Sequence, residues 1–169
     1  MTNLQEQAYF FYHVNAVFDN EVYQQMEQFV HHRKTTRLKH CMFVAYISYK
    51  MGKYLGLDCD YKSLIRGAML HDFYLYHRDK SENEQQFHNF THAKAALENA
   101  EEHFDLTDRE KDIIKKHMWP LNIKLPRYKE SYLVWLADKY CSMAEVSARL
   151  FRRRKTTSDK LPAVVSYYK

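Results

Sequence analysis

The chain has 169 residues, about one domain's worth, and its 46% hydrophobic and 28% charged content excludes a disordered polymer. Three Gly and three Pro are too few for the regularly spaced turns of a β-sandwich or barrel, and no GxGxxG or GxxxxGK[ST] phosphate loop occurs. The net charge of +5 is mild, and suits a small anionic substrate as well as an ordinary surface.

The N-terminus opens with Asn3, Gln5, Glu6 and Gln7 and lacks the basic-then-apolar order of a secretory signal. Cys41, Cys59 and Cys141 are odd in number, widely spaced and without a CxxC, so a disulfide framework is not expected and a cytoplasmic location is. No apolar run approaches the ~18 residues of a membrane span.

Helices are expected over about 5–17 and 20–33, with Asp19 or Asn20 able to cap the second. A periodic stretch over about 36–55 carries His40, Phe43, Val44, Ile47, Met51, Tyr54 and Leu55 at helical spacing, and Gly56-Leu57-Asp58 should end it. Asp60 can cap a helix over about 61–76, whose inward stripe runs Leu64, Ile65, Ala68, Met69 and then Asp72. The polar stretch 77–90 reads as a loop, followed by a helix over about 92–103 with a small-residue face of His92, Ala95, Ala96, Asn99 and Ala100. Thr107-Asp108-Arg109-Glu110 has capping-box form, so a helix starts near 108, carries Ile113, Ile114 and His117 on one face, and stops at Pro120. Pro126 marks a loop, and a last helix spans about 129–153. The tail beyond Lys155 reads as a short helix or as loosely packed. The basic cluster Arg149, Arg152, Arg153, Arg154 and Lys155 reads as a solvated helix end or as a phosphate- or nucleic-acid-attracting patch. The fold class is therefore all-α, a single-domain helical bundle over residues 1–169 with its core at about 35–150.

Polar residues interrupt the apolar stripes at four places. His40 heads one stripe, Asp72 ends another with His71 beside it, and His117 follows Ile113 and Ile114. Asp138 sits among Leu133, Val134, Leu136, Ala137 and Cys141. A buried imidazole or carboxylate must be paired or must bind a metal, because desolvating it alone costs several kcal/mol. Each taken singly fits a hydrogen-bonded core His or a salt-bridged Asp. Together on separate helices, with His92 as a further candidate, they form a nitrogen and oxygen donor set suited to Fe, Mn²⁺ or Zn²⁺.

The order His40 … His71-Asp72 … His92 … His117 … Asp138 resembles the HD-domain superfamily of metal-dependent phosphohydrolases, whose signature is H…HD…D on an all-α core. The apolar run Gly67-Ala68-Met69-Leu70 before the doublet is similar to the family's, and His92 and His117 resemble its binuclear branch. The segments Phe90-Thr91-His92-Ala93 and Lys116-His117-Met118-Trp119-Pro120 resemble a group of small bacterial HD hydrolases. The resemblance implies a first metal on His40, His71, Asp72 and Asp138, and a second on His92 and His117 bridged by Asp72. It further implies two divalent cations, Fe or Mn with Zn or Mg as alternatives, and a metal-bridging hydroxide as nucleophile. Many binuclear members carry Lys three residues after the HD aspartate. Leu75 stands there in this chain, and no GYP triplet occurs, so cyclic-dinucleotide activity is not implied.

The leaving-group acid therefore falls among Lys139, His88, His77 and Lys80, each of which reads equally as a surface charge or a supporting hydrogen-bond partner. Arg37, one turn before His40, reads as a phosphate-reaching side chain or as a surface residue. Trp119 and Trp135 read as packing rather than as a base-stacking platform, and Phe73-Tyr74-Leu75-Tyr76 as the mouth of the site. The expected function is hydrolysis of a nucleotide or other small phosphate ester or anhydride, with Asp72 and Lys139 catalytic and Arg37 and His88 binding substrate. The alternatives are a mixed-valence di-iron oxygenase of the same superfamily, of which myo-inositol oxygenase is an example, and a non-catalytic module. The expected partner is a small phosphorylated anion, with nucleic acid less favoured, no membrane, and the oligomeric state open.

Overall fold

The computed structural model describes residues 2–32, 35–75, 82–121 and 123–151. Side chains of 31–32, 82–90 and 146–151 lie outside that description, as does most of the basic cluster and the tail that follows it. Helix α1 (Asn3–Phe18) starts at Thr2, which forms a reciprocal capping box with Gln5, and α1 buries Phe10, Val14 and Val17. Asn20 accepts from the Tyr23 amide at 3.0 Å and starts a short α2 (Glu21–Gln24). The expected helix over 20–33 does not continue. The chain tightens into a 3-10 turn (Gln25–Gln28), then forms β1 (Val30–His32), which pairs antiparallel with β2 (Thr35–Thr36). The β-branched Val30, Thr35 and Thr36 favour that ribbon, and the Arg37 amide locks it by donating to the Phe29 carbonyl at 2.8 Å.

Helix α3 (Arg37–Tyr54) is capped by Thr36. It ends as expected at Gly56, whose φ of +63° suits glycine; the Gly56 and Leu57 amides donate to the Lys53 and Gly52 carbonyls at 3.1 and 3.0 Å. Its buried face is Leu38, Cys41, Val44, Ala45, Ser48, Tyr49 and Gly52, whereas Tyr54 and Leu55, placed on the stripe by spacing, are exposed. Helix α4 (Tyr61–Leu70), capped by Asp60, is the centre of the bundle: every residue from Ser63 to Leu70 except Arg66 is buried. It stops at Leu70, six residues short of the expected end. Helix α5 (Glu82–His103) starts ten residues earlier than expected, so 82–90 is helical rather than loop. Helix α6 (Asp108–Lys116) has the expected capping box, with the Thr107 amide donating to Glu110 at 2.7 Å. Helix α7 (Lys129–Phe151) closes the bundle.

α3 packs against α4 and α7, and α4 against α6, so the three helices bearing the polar interruptions converge on α4. The contact of α4 with α6 depends on Gly67, because a β-carbon there would lie 2.6 Å from Ile113 Cδ1. Among the described residues, no helix is long and apolar enough to cross a membrane.

Candidate metal centre

Two of the histidines owe their position to helix ends. The last carbonyls of an α-helix lack intrahelical partners. His71 follows α4 and its Nδ1 lies 2.7 Å from the Ala68 carbonyl oxygen, while His117 follows α6 with Nδ1 2.8 Å from that of Ile114. A carbonyl only accepts, so Nδ1 is the protonated nitrogen in both rings and Nε2 of the neutral ring carries a lone pair. His71 keeps helical dihedrals (φ −59°, ψ −30°) as the cap of α4, and its ring and the Asp72 carboxyl join one group of donor atoms.

Four further contacts assemble the rest. His40 Nε2 donates to Asp138 Oδ1 at 3.2 Å, and His71 Nε2 lies 3.9 Å from the same oxygen. Asp72 Oδ1 lies 3.6 Å from His92 Nε2 and 3.5 Å from His117 Nε2, and those two nitrogens are 3.0 Å apart. The donor atoms form two groups, His40, His71 and Asp72, and Asp72, His92 and His117, each within 4.8 Å of one another. Asp72 belongs to both. All six side chains are buried.

The electrostatics differ across the centre. Burial pushes the His71 imidazole down to about 4 against the pull of Asp72, so it is neutral near pH 7. Burial also opposes charge on His40, but hydrogen bonds to Asp138 and Glu145 outweigh it and raise this imidazole to about 10. Asp138, despite its own burial, is held well below the usual carboxylate range by His40 first and by His71 and Lys139 next. His71 Nε2 is buried and makes no hydrogen bond. An unsatisfied lone pair aimed at two carboxylates is the arrangement a cation would complete, and the imidazole and carboxylate set suits a borderline or hard divalent ion. The residues present therefore fit a pair of divalent metals.

The structure brings His40, His71, Asp72, His92, His117 and Asp138 close together. Lys139 lies at the rim: its half-exposed ammonium donates to Asp138 Oδ2 at 2.9 Å. Arg37 is not a surface residue. It is buried, with its guanidinium 3.5 Å over the Tyr74 ring and 5.1 Å from Phe29, and it donates to the Tyr74 carbonyl. Phe73 is not at the mouth but in the core against Tyr23, while Tyr74 is buried beside His92 with ring centroids 5.6 Å apart. The side chain of His88, and His77, Lys80 and Tyr76 entirely, lie outside the described residues. Trp119 and Trp135 are half-buried and pack edge to face on each other at 5.1 Å, with Trp135 Nε1 donating to the Trp119 carbonyl at 2.6 Å.

Sequence reasoning missed Glu145 and Ser142. Glu145 Oε1 accepts from His40 Nδ1 at 3.0 Å, and Ser142 Oγ donates to Asp138 Oδ1 at 3.3 Å. Their spacing of four and seven residues from Asp138 was the available signal, since it places all three on one side of α7.

Comparison with known proteins agrees with this arrangement in kind. The family model described as HD domain matches residues 37–143. No curated protein and no solved structure matches the chain significantly.

Proposed function

Because the chain belongs to the HD-domain family, we propose that it is a metal-dependent phosphohydrolase acting on a nucleotide or other small phosphate ester or anhydride. The observation that carries this reading is the pair of three-residue donor groups sharing Asp72. His40, His71, Asp72 and Asp138 would hold one divalent cation, and Asp72, His92 and His117 the other, with iron or manganese suited to the donor set. Bound there, the pair would supply Lewis acidity toward a phosphoryl oxygen and hydroxide at neutral pH.

The chain's own residues supply the remainder. Asp72, set between the two groups, fixes their separation. The Ala68 and Ile114 carbonyls take the Nδ1 protons of His71 and His117 and so leave Nε2 of each ring toward the centre. The buried Tyr74 walls the His92 side and keeps water from it. Lys139, half-exposed above Asp138, offers the substrate a positive charge and a proton for the departing oxygen.

Phosphate release from a panel of nucleotides and phosphodiesters, measured on purified protein with Mn²⁺ or Fe²⁺, tests the proposal. Turnover of at least one class, lost on His71→Ala, is the expected result. Metal held at these residues with no turnover on any class would count against it. Retained iron with substrate-dependent O₂ uptake would move the chain to the oxygenases of the superfamily.

A further inference from the structure

α7 turns a row of oxygen atoms toward His40. Asp138 Oδ1 takes the Nε2 proton at 3.2 Å, and Glu145 Oε1, two helical turns on, takes the Nδ1 proton at 3.0 Å. His40 is fully buried, and the Glu145 side chain is only 15% exposed, so their hydrogen bond is shielded from water.

We propose that Glu145 is a positioning residue for the His40 half of the metal centre, holding the ring so that Nε2 faces the point shared with His71 and Asp138. The inference rests on the metal reading above. Its reasoning is that a cation at Nε2 must replace the proton now shared with Asp138. The Glu145 contact is then what remains of the two hydrogen bonds to carboxylates that fix the ring. His71 and His117 instead turn Nδ1 to the neutral carbonyls of Ala68 and Ile114. A carboxylate at Nδ1 makes the opposite nitrogen a stronger donor than a carbonyl does. His40 is therefore set up as a stronger imidazole donor than His71 or His117.

Titration of the full-length chain with Mn²⁺ by calorimetry tests the assignment, on wild type, Glu145→Gln and Glu145→Ala. Metal content after dialysis and the thermal midpoint with and without Mn²⁺ complete the set. Gln keeps an oxygen acceptor but loses the charge. The expected result is that Glu145→Gln binds one of two equivalents about 10–100-fold more weakly, with the second unchanged. Glu145→Ala should weaken that same equivalent at least as much. A Gln variant that titrates like a two-equivalent wild type overturns this inference alone. Equal weakening of both equivalents, with a matching drop in the metal-free midpoint, assigns a merely structural role and overturns it too. Complete loss of one equivalent in the Gln variant makes Glu145 a ligand rather than a positioning residue. Wild type that takes up no Mn²⁺ overturns the metal reading along with it.

Discussion

His71 and His117 face each other across the centre with ring centroids 4.9 Å apart, and each closes the helix it follows by donating Nδ1–H to the carbonyl three residues before it. One local device, used twice, therefore ends two helices and aims two Nε2 atoms at the centre. The site is built from helix termini as much as from facing helix surfaces.

Asp72 is the shared member of the two donor groups. Asp72→Asn should reduce bound Mn²⁺ from two equivalents to one or fewer. Phosphate release should drop by at least about 100-fold, since even outer partners of metal ligands are worth 10–100-fold. Elemental analysis and a turnover assay on the same preparation check both.

Lys139 is half-exposed and contributes little packing. Lys139→Met should lower kcat by roughly 10²–10⁴-fold if the ammonium protonates the leaving oxygen, and should leave the thermal midpoint in place. Lys139→Arg keeps the charge but not a transferable proton, so KM should recover without kcat. Recovery of both would reduce the residue to an electrostatic part.

Arg37 stacks on Tyr74 and donates to its carbonyl, two residues after Asp72. Arg37→Ala empties the space between Phe29 and Tyr74 and removes a charged donor, at a cost of about 3 kcal/mol. Arg37→Lys keeps the charge and loses the planar stacking surface, so an intermediate loss is expected. Urea unfolding of the three proteins gives the order directly.

Gly67 lets α4 approach α6, with Ile113 Cδ1 2.6 Å and its Cβ and Cγ2 3.1 Å from where a β-carbon would stand. Gly67→Ala should destabilise by about 1–3 kcal/mol through overpacking, although alanine favours helix. Combining it with Ile113→Val, which removes Cδ1, should recover part of the loss. Strict additivity of the two changes would mean that the helices are not in contact there.

Asp112 accepts from the Arg127 amide at 2.8 Å and the Ser131 hydroxyl at 2.7 Å, and pairs with Lys116. Burial alone would raise this carboxyl, but Lys116 and the two other donors outweigh it and hold it below the usual range. A carboxyl depressed in the folded state stabilises above its unfolded value of about 3.9 and loses that contribution as pH falls through the folded value. Asp112→Asn should cost about 1.5–3 kcal/mol at pH 7 and flatten the acid limb of the stability curve. Midpoints measured from pH 7 down to pH 2 decide this.

Helix starts were legible because their caps are chemical: Asn20, Asp60 and Thr107 each accept from an amide three residues on, as their side chains require. Helix ends were less so. α4 stops without Gly or Pro, because the His71 ring takes the Ala68 carbonyl, and that is a tertiary fact about where the ring points. The segment 20–33 carries Val22, Tyr23, Met26 and Val30 at helical spacing, but the pairing of Val30 with Thr36 overrides it. The run 82–90 looked like loop because it is polar, although Glu and Gln are good helix formers. His40, Asp72, His117 and Asp138 stood out as polar interruptions of apolar stripes, His71 as the neighbour of Asp72, and His92 at the start of a small-residue face. Glu145 did not, since an acidic residue two turns after Asp138 looks like any solvent-facing side chain until the fold brings His40 to it.

α4 and α6 both run into the centre carboxyl end first, stopping at Leu70 and Lys116. The aligned peptide dipoles of a helix place about half a negative elementary charge at that end. Two such ends, added to Asp72, Asp138 and Glu145, outweigh the positive charges of His40 and Lys139 and favour a cation over phosphate. On the proposed reading, occupancy would be sequential: the cations would enter first and invert the local sign before a phosphorylated anion gained anything by following. The metal-stripped protein should hold phosphate esters poorly, even though the chain as a whole carries a charge of +5.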